Sequence, residues 1–271
     1  MASPLAKRLR RARMGVSTAL GVGERGFFSP YRHAAATPAP KGYPEIEAVL
    51  AEAAPRFREV LDRIGALDLP EGDGVLRWDQ SWFAPLDGAA AFALVADAPP
   101  ARIVEVGSGH STRFLAYALR VAGAKAEHVC IDPAPRAAIA ALGVTHRAEL
   151  LDERHLPLFD ALGEGDVAFF DSSHLLWPGT DVDLILNRIL PRLAEGVRIH
   201  VHDVFWPDPS PADWAWRGYT EQLGLGGWLA GGGCAPLFAS HYAATRMADA
   251  LPALPEGGDG ARPSSLWMVR A

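Results

Sequence analysis

The sequence predicts an α/β protein: a doubly wound, mostly parallel seven-stranded sheet with a helical N-terminal extension. Two observations lead there. Short apolar runs of strand length alternate with segments of helical apolar spacing from residue 102 onward. Several of those runs also end in Gly, Asp or His, as at Val106-Gly107, Ile131-Asp132, Phe170-Asp171 and Val201-His202-Asp203. Such alternation puts helices on both faces of a parallel sheet, and ligands then gather at the carboxyl ends of its strands.

The elements follow in order. Residues 1–42 are rich in Arg, Ala, Gly and Pro without sustained periodicity, and read as a poorly structured basic extension. Residues 43–98 read as a helical cap segment. There Ile46, Val49 and Leu50, then Phe57, Val60, Leu61 and Ile64, predict one or two helices broken at Pro55. Pro70–Gly74 reads as a loop, and Leu86–Val95 as a helix ending before Pro99-Pro100. Residues 99–271 form the core. Strands are expected at Ile103–Val106, His128–Ile131, Thr145–Leu151, Asp166–Phe170, Val197–Val201, Pro236–Ser240 and Leu266–Arg270. Helices are expected at Thr112–Val121, Arg136–Leu142, Leu156–Leu162, Val182–Leu193 and Asp213–Leu229.

Composition narrows the function. A net charge of −6 and a pI near 5.8 argue against a nucleic-acid partner bound through its phosphates, which needs a concentrated basic face. No apolar stretch approaches the ~18–20 residues of a membrane span. Only two cysteines, Cys130 and Cys234, are present, so a disulfide framework is not expected and the cytoplasm is the expected location. Nothing in the sequence fixes the oligomeric state.

The turn Glu105-Val-Gly107-Ser-Gly109 carries most of the functional signal. Two glycines let the backbone approach a ligand, and the following helix offers free N–H groups. The dinucleotide pattern G-x-G-x-x-G asks for a third glycine where Thr112 stands. Glu105 instead offers a carboxylate suited to an ammonium group. Asp132, 25 positions after Gly107, ends the second strand, where a carboxylate can accept hydrogen bonds from ribose hydroxyls.

These residues resemble motifs I and II of class I S-adenosylmethionine-dependent methyltransferases. Ser81-Trp-Phe-Ala-Pro-Leu-Asp87, Phe169-Phe-Asp-Ser-Ser-His174, His200-Val-His-Asp-Val-Phe-Trp-Pro207, Tyr219-Thr-Glu-Gln222 and Ser264-Ser-Leu-Trp-Met-Val-Arg270 are similar to the bacterial methyltransferase 24 branch. The resemblance implies a Rossmann-like methyltransferase fold with a final antiparallel strand pair. It also implies S-adenosylmethionine as cofactor, held by Glu105, Gly107, Ser108, Gly109, Ser111, Asp132, Asp152 and Asp171. Asp152, after the third strand, would face the adenine amino group, a role for which Glu153 and His155 compete.

The expected reaction is methyl transfer to an O or N nucleophile of a small-molecule acceptor. His174, His202 and Asp203 are the catalytic candidates, with His174 as base. Acids after the fourth and fifth strands also resemble metal-dependent catechol-type methyltransferases. Asp171 and Asp203 would then supply two ligands and His174 or His202 a third. Val204, following the second acid, cannot ligate, so a divalent metal is the less favoured addition and no ligand set is assigned. Arg217 offers a partner to a carboxylated substrate. Two alternatives stand beside this reading: an NAD-dependent oxidoreductase on the same fold, and a non-catalytic ligand-binding protein.

Overall fold

The computed structural model describes residues 3–22, 32–67 and 76–271. Seven strands form one sheet: β1 (Arg102–Val106), β2 (Glu127–Ile131), β3 (Thr145–Arg147), β4 (Val167–Phe170), β5 (Arg198–Val201), β6 (Cys234–Ala239) and β7 (Leu266–Arg270). Their order is β3-β2-β1-β4-β5-β7-β6. The first five run parallel, and β7 runs antiparallel to both neighbours. β1, β4 and β5 are buried almost throughout, as apolar parallel strands covered on both faces must be.

Helices cover the sheet. Within the segment read as a loose basic arm, α1 (Pro4–Ala19) begins with a Ser3 cap and Pro at its first turn. α1 lies against the chain near Ala215, whose carbonyl accepts from Arg11 Nη1 at 2.8 Å. α2 (Pro44–Glu52) and α3 (Ala54–Ala66) bury Ile46, Leu50, Phe57, Val60, Leu61 and Ile64. α4 (Pro85–Asp97) is buried from Leu86 to Val95, and so encloses one charged residue, Asp87. α5 (His110–Val121) follows β1 and packs on α4. The loop expected over Pro70–Gly74 lies outside the described residues.

Several elements differ from expectation for local reasons. No helix forms over 136–142: Asp132 accepts from the Ala134 N–H at 2.7 Å, and the Arg136 N–H reaches back to Ser108 O at 3.2 Å. β3 stops at Arg147, because the Glu149 N–H turns back to its carbonyl. α6 (Leu156–Asp160) is shorter than expected. α7 (Asp181–Leu184) runs into a π segment, Ile185–Ile189, and a 3-10 turn, Leu190–Arg192. Pro191 has no N–H to continue the α ladder there. The helix expected over Asp213–Leu229 is two pieces, a 3-10 turn Ala212–Arg217 and α8 (Glu221–Ala230). Gly218, at φ +70°, separates them. α9 (Ser240–Arg246) is an addition that the spacing did not reveal. Among the described residues, no helix is long and apolar enough to cross a membrane.

Candidate active site

The glycine turn is wedged between the ends of three strands. The Gly107 N–H donates to Ile131 O at 3.0 Å, and the Asp171 N–H donates to Val106 O at 2.9 Å. Gly107 has φ +79°, and a Cβ there would lie 1.8 Å from Asp171 O. Only glycine fits. Ser108 donates through its N–H (2.6 Å) and hydroxyl (3.0 Å) to Asp132 Oδ2. Thr112, where a third glycine was sought, accepts from the Gly109 N–H at 2.9 Å and so closes the first turn of α5.

Glu105 is fully buried. Its Oε1 accepts from Ser111 Oγ at 2.7 Å, while Oε2 faces His128 Nε2 at 3.0 Å and Cys130 Sγ at 3.4 Å. The structure therefore joins Glu105, Gly107, Ser108, Gly109, Ser111 and Asp132 in one unit. Asp152 is only half-buried. It caps a 3-10 turn, Glu153–His155, and its oxygens meet Arg154 and His155 rather than the glycine turn.

Four of the predicted residues form a ring where β4 and β5 end. His174 Nε2 lies 3.2 Å from Asp171 Oδ1 and 3.4 Å from Asp203 Oδ2. His202 Nδ1 lies 3.5 Å from Asp171 Oδ1 and 3.5 Å from Asp203 Oδ1. Acids and imidazoles thus alternate around it. The outer nitrogens are engaged elsewhere. His174 Nδ1 faces Glu221 Oε2 at 2.9 Å, and His202 Nε2 faces Asp87 Oδ2 at 3.5 Å and Ser264 Oγ at 3.4 Å. Asp87 is fixed in turn by the backbone N–H groups of Ser264 and Ser265.

Backbone strain is concentrated at the same place. Among the described residues, His174 (φ +59°) and Asp203 (φ +57°) are the two non-glycine positions in the left-handed region. The Thr220 and Glu221 N–H groups both donate to His174 O, at 2.9 and 3.2 Å, which ties the strained loop to the start of α8. Phe83 covers His202 with ring centroids 5.3 Å apart, and Tyr219 covers His174 at 4.5 Å.

The charges set each other. Burial disfavours charge on both imidazoles, but Asp203, Asp171 and Glu221 raise His174 well above the usual histidine range. Asp171, Asp203 and Asp87 do the same for His202. Burial opposes charge on Asp171 as well, yet His202 and His174 hold it well below the ordinary carboxylate value. Glu221 is raised by burial, against the pull of His174. His200, on β5, stacks on Phe169 with centroids 3.7 Å apart. Burial, reinforced by His202, drives its pKa well down, so it belongs to the neutral core.

Residues 104–204 match the family model described as methyltransferase domain, that of the methyltransferase 24 family. Over these residues the chain is similar to a methyltransferase domain. The domain's ends coincide with the glycine turn and the strand-5 acid, so the match spans both halves of the site. Among solved structures, the chain is similar to the S-adenosylhomocysteine-bound methyltransferase PaMTH1 of Podospora anserina. The identity is 20%, over 91% of this chain and 99% of that one, with a TM-score of 0.41. No curated protein matches the chain significantly.

Asp87, Glu221 and Ser264 lie within the resembling segments, where the sequence alone assigns them no role in the site. A signal was available for the two acids: each sits in an otherwise apolar helix, α4 or α8, where an unpaired charge is costly.

Proposed function

We propose that the chain transfers the methyl group of S-adenosylmethionine to an O or N nucleophile of a small molecule, with His174 accepting the nucleophile's proton. In that step the nucleophile–carbon bond forms as the sulfonium–carbon bond breaks, and S-adenosylhomocysteine leaves. The observation that carries the reading is the ring position of His174. Its outer nitrogen is held by Glu221, and its inner nitrogen faces the ends of β4 and β5. A positioned imidazole contributes through orientation and proton transfer.

The cofactor would lie across Gly107, Ser108 and Gly109. Asp132 would exchange its Ser108 contacts for ribose hydroxyls, and Glu105 would hold Ser111 and the first turn of α5 in place. Asp152 is assigned to the adenine amino group, and Asp171 to the floor beneath the methyl group. Asp203 and His202 complete the acceptor side. The two free, buried cysteines support a cytoplasmic location. His174→Gln keeps the hydrogen-bonding capacity and removes the base. It should lower kcat by 10²–10⁴-fold with little change in S-adenosylhomocysteine affinity, and unchanged turnover would refute the assignment.

A second reading has its own observation. Each histidine of the ring has a carboxylate behind its outer nitrogen, the arrangement that orients metal-binding imidazoles. Two inner atoms, Asp171 Oδ1 and His174 Nε2, are buried and close but lack an aligned hydrogen bond. Two imidazoles and two carboxylates are donor types a divalent cation accepts, and Asp171, His174, His202 and Asp203 would be its holders; their ligand atoms converge less closely than those of Glu105, His128 and Cys130. When bound, such a cation would polarise an acceptor oxygen and favour its ionised form. Metal analysis of the purified protein, before and after EDTA, tests this. A stoichiometric metal lost in the Asp171→Asn, Asp203→Asn double variant supports it, and a metal-free protein that turns over unaided excludes it.

A further inference from the structure

One cation beside the ring is arranged unlike its neighbours. Arg217 ends the 3-10 turn Ala212–Arg217, and Gly218 then swings the chain back so that Tyr219 covers His174. The Arg217 guanidinium lies 4.1 Å from the centroid of Trp214, 5.3 Å from Tyr219 and 5.5 Å from Trp216. Its Nη1 donates to Tyr219 Oη at 2.8 Å, while its Nε is buried with no partner. No carboxylate among the described residues pairs with it. Arg262 nearby is closed by a two-pronged pair with Asp213, at 2.9 and 3.2 Å, and Arg198 in the core is satisfied by backbone carbonyls.

An arginine held flat by aromatic faces is fixed before a ligand arrives, so little rotamer freedom remains to be lost on binding. Its planar fork matches a carboxylate with two parallel hydrogen bonds. The ring beyond Tyr219, with Glu221 and Asp87 behind its histidines, sets four carboxylates against two imidazoles and therefore repels a free anion. Arg217 is the nearby positive charge without an anionic partner, separated from His174 by one tyrosine ring. An acceptor that reached the ring with its hydroxyl or amine and Arg217 with an anionic group would satisfy both ends.

We infer that Arg217 determines acceptor specificity, and that the methyl acceptor is a small planar molecule carrying a carboxylate besides its nucleophilic hydroxyl or amine. This rests on methyl transfer at His174. The aromatic walls Trp214, Trp216 and Tyr219 suit the planar body, and Arg217 takes the carboxylate.

The test uses the full chain with S-adenosylmethionine and matched acceptor pairs: 3-hydroxybenzoate, 3,4-dihydroxybenzoate and 3-aminobenzoate, each beside its methyl ester. S-adenosylhomocysteine formed is the readout. At least one acid should show a KM roughly tenfold or more below that of its ester, as expected for a charge-assisted pair. Arg217→Gln should raise the KM for acids by about the same factor and erase the acid–ester difference, with kcat falling far less. Arg217→Lys keeps the charge but loses the fork, and should fall between; it carries the comparison if the Gln variant does not fold. Equal use of acids and esters overturns the inference. So does an unchanged KM in Arg217→Gln, or a protein that binds S-adenosylhomocysteine by calorimetry yet neither binds nor methylates any of the acids. Failure to bind S-adenosylhomocysteine overturns the methyl-transfer reading itself.

Discussion

Replacing Gly107 by alanine isolates the contact on which the glycine turn depends. Two costs are separable. A left-handed residue with a Cβ costs about 1–2 kcal/mol. The Cβ would also sit 1.8 Å from Asp171 O, whereas real Cβ atoms stay beyond 3.0 Å, so strand ends must part by roughly 1 Å. Overpacking of that kind adds about 1–3 kcal/mol. Gly123 supplies the control: its φ is +63°, and a Cβ there meets nothing within 4 Å. Gly123→Ala should therefore show the backbone cost alone. Urea unfolding should place Gly107→Ala about 1–3 kcal/mol below Gly123→Ala. Because Asp171 is the residue displaced, Gly107→Ala should also weaken S-adenosylhomocysteine binding at least tenfold, while Gly123→Ala leaves it unchanged. Equal stability losses and equal affinities in the two variants would refute the wedged-turn account.

Two further perturbations test the electrostatics. Asp208 is held at a pKa of about 2 by Arg246 and His241, so its folded value lies below the unfolded 3.8. Its stabilisation is present above about pH 4 and is lost as pH falls toward 2. Asp208→Asn should thus be less stable than the parent at pH 7, with the gap closing by pH 2 in thermal melts; a constant gap would contradict the pairing. Glu221→Gln removes one of the carboxylates that raise His174. The rising limb of kcat against pH should move to lower pH, since neutral imidazole then appears earlier, and an unmoved limb would remove Glu221 from the site.

Most of the fold was legible because the signals were local. The seven strands stand within a few residues of expectation, and β1, β2, β4 and β5 were clearest, since buried parallel strands read as short apolar runs ending in Gly, Asp or His. The failures have physical causes that spacing does not carry. The residues 136–142 have helical spacing, but side-chain and backbone capping by Asp132 and Ser108 commits the chain to turns. Asp213–Leu229 reads as one helix because Gly218 looks like a tolerable interruption, whereas its left-handed backbone reverses the chain.

At the site, the strand-end rule brought His174, His202, Asp171 and Asp203 together from separate segments. It could not show that Asp87 and Glu221 stand behind His202 and His174, because those acids arrive on helices, from 115 and 47 positions away in the chain. Glu105, placed by its spacing from the glycines, also engages Ser111, His128 and Cys130, partners that spacing does not show.

The central claim is that the glycine turn holds S-adenosylmethionine. Isothermal calorimetry of the purified chain with S-adenosylhomocysteine tests it most directly, beside a parallel titration with NADH. Saturable one-to-one binding of S-adenosylhomocysteine, weakened at least tenfold in Gly107→Ala and absent for NADH, is the predicted result. No heat with S-adenosylhomocysteine, or saturable binding of NADH in its place, would contradict the account.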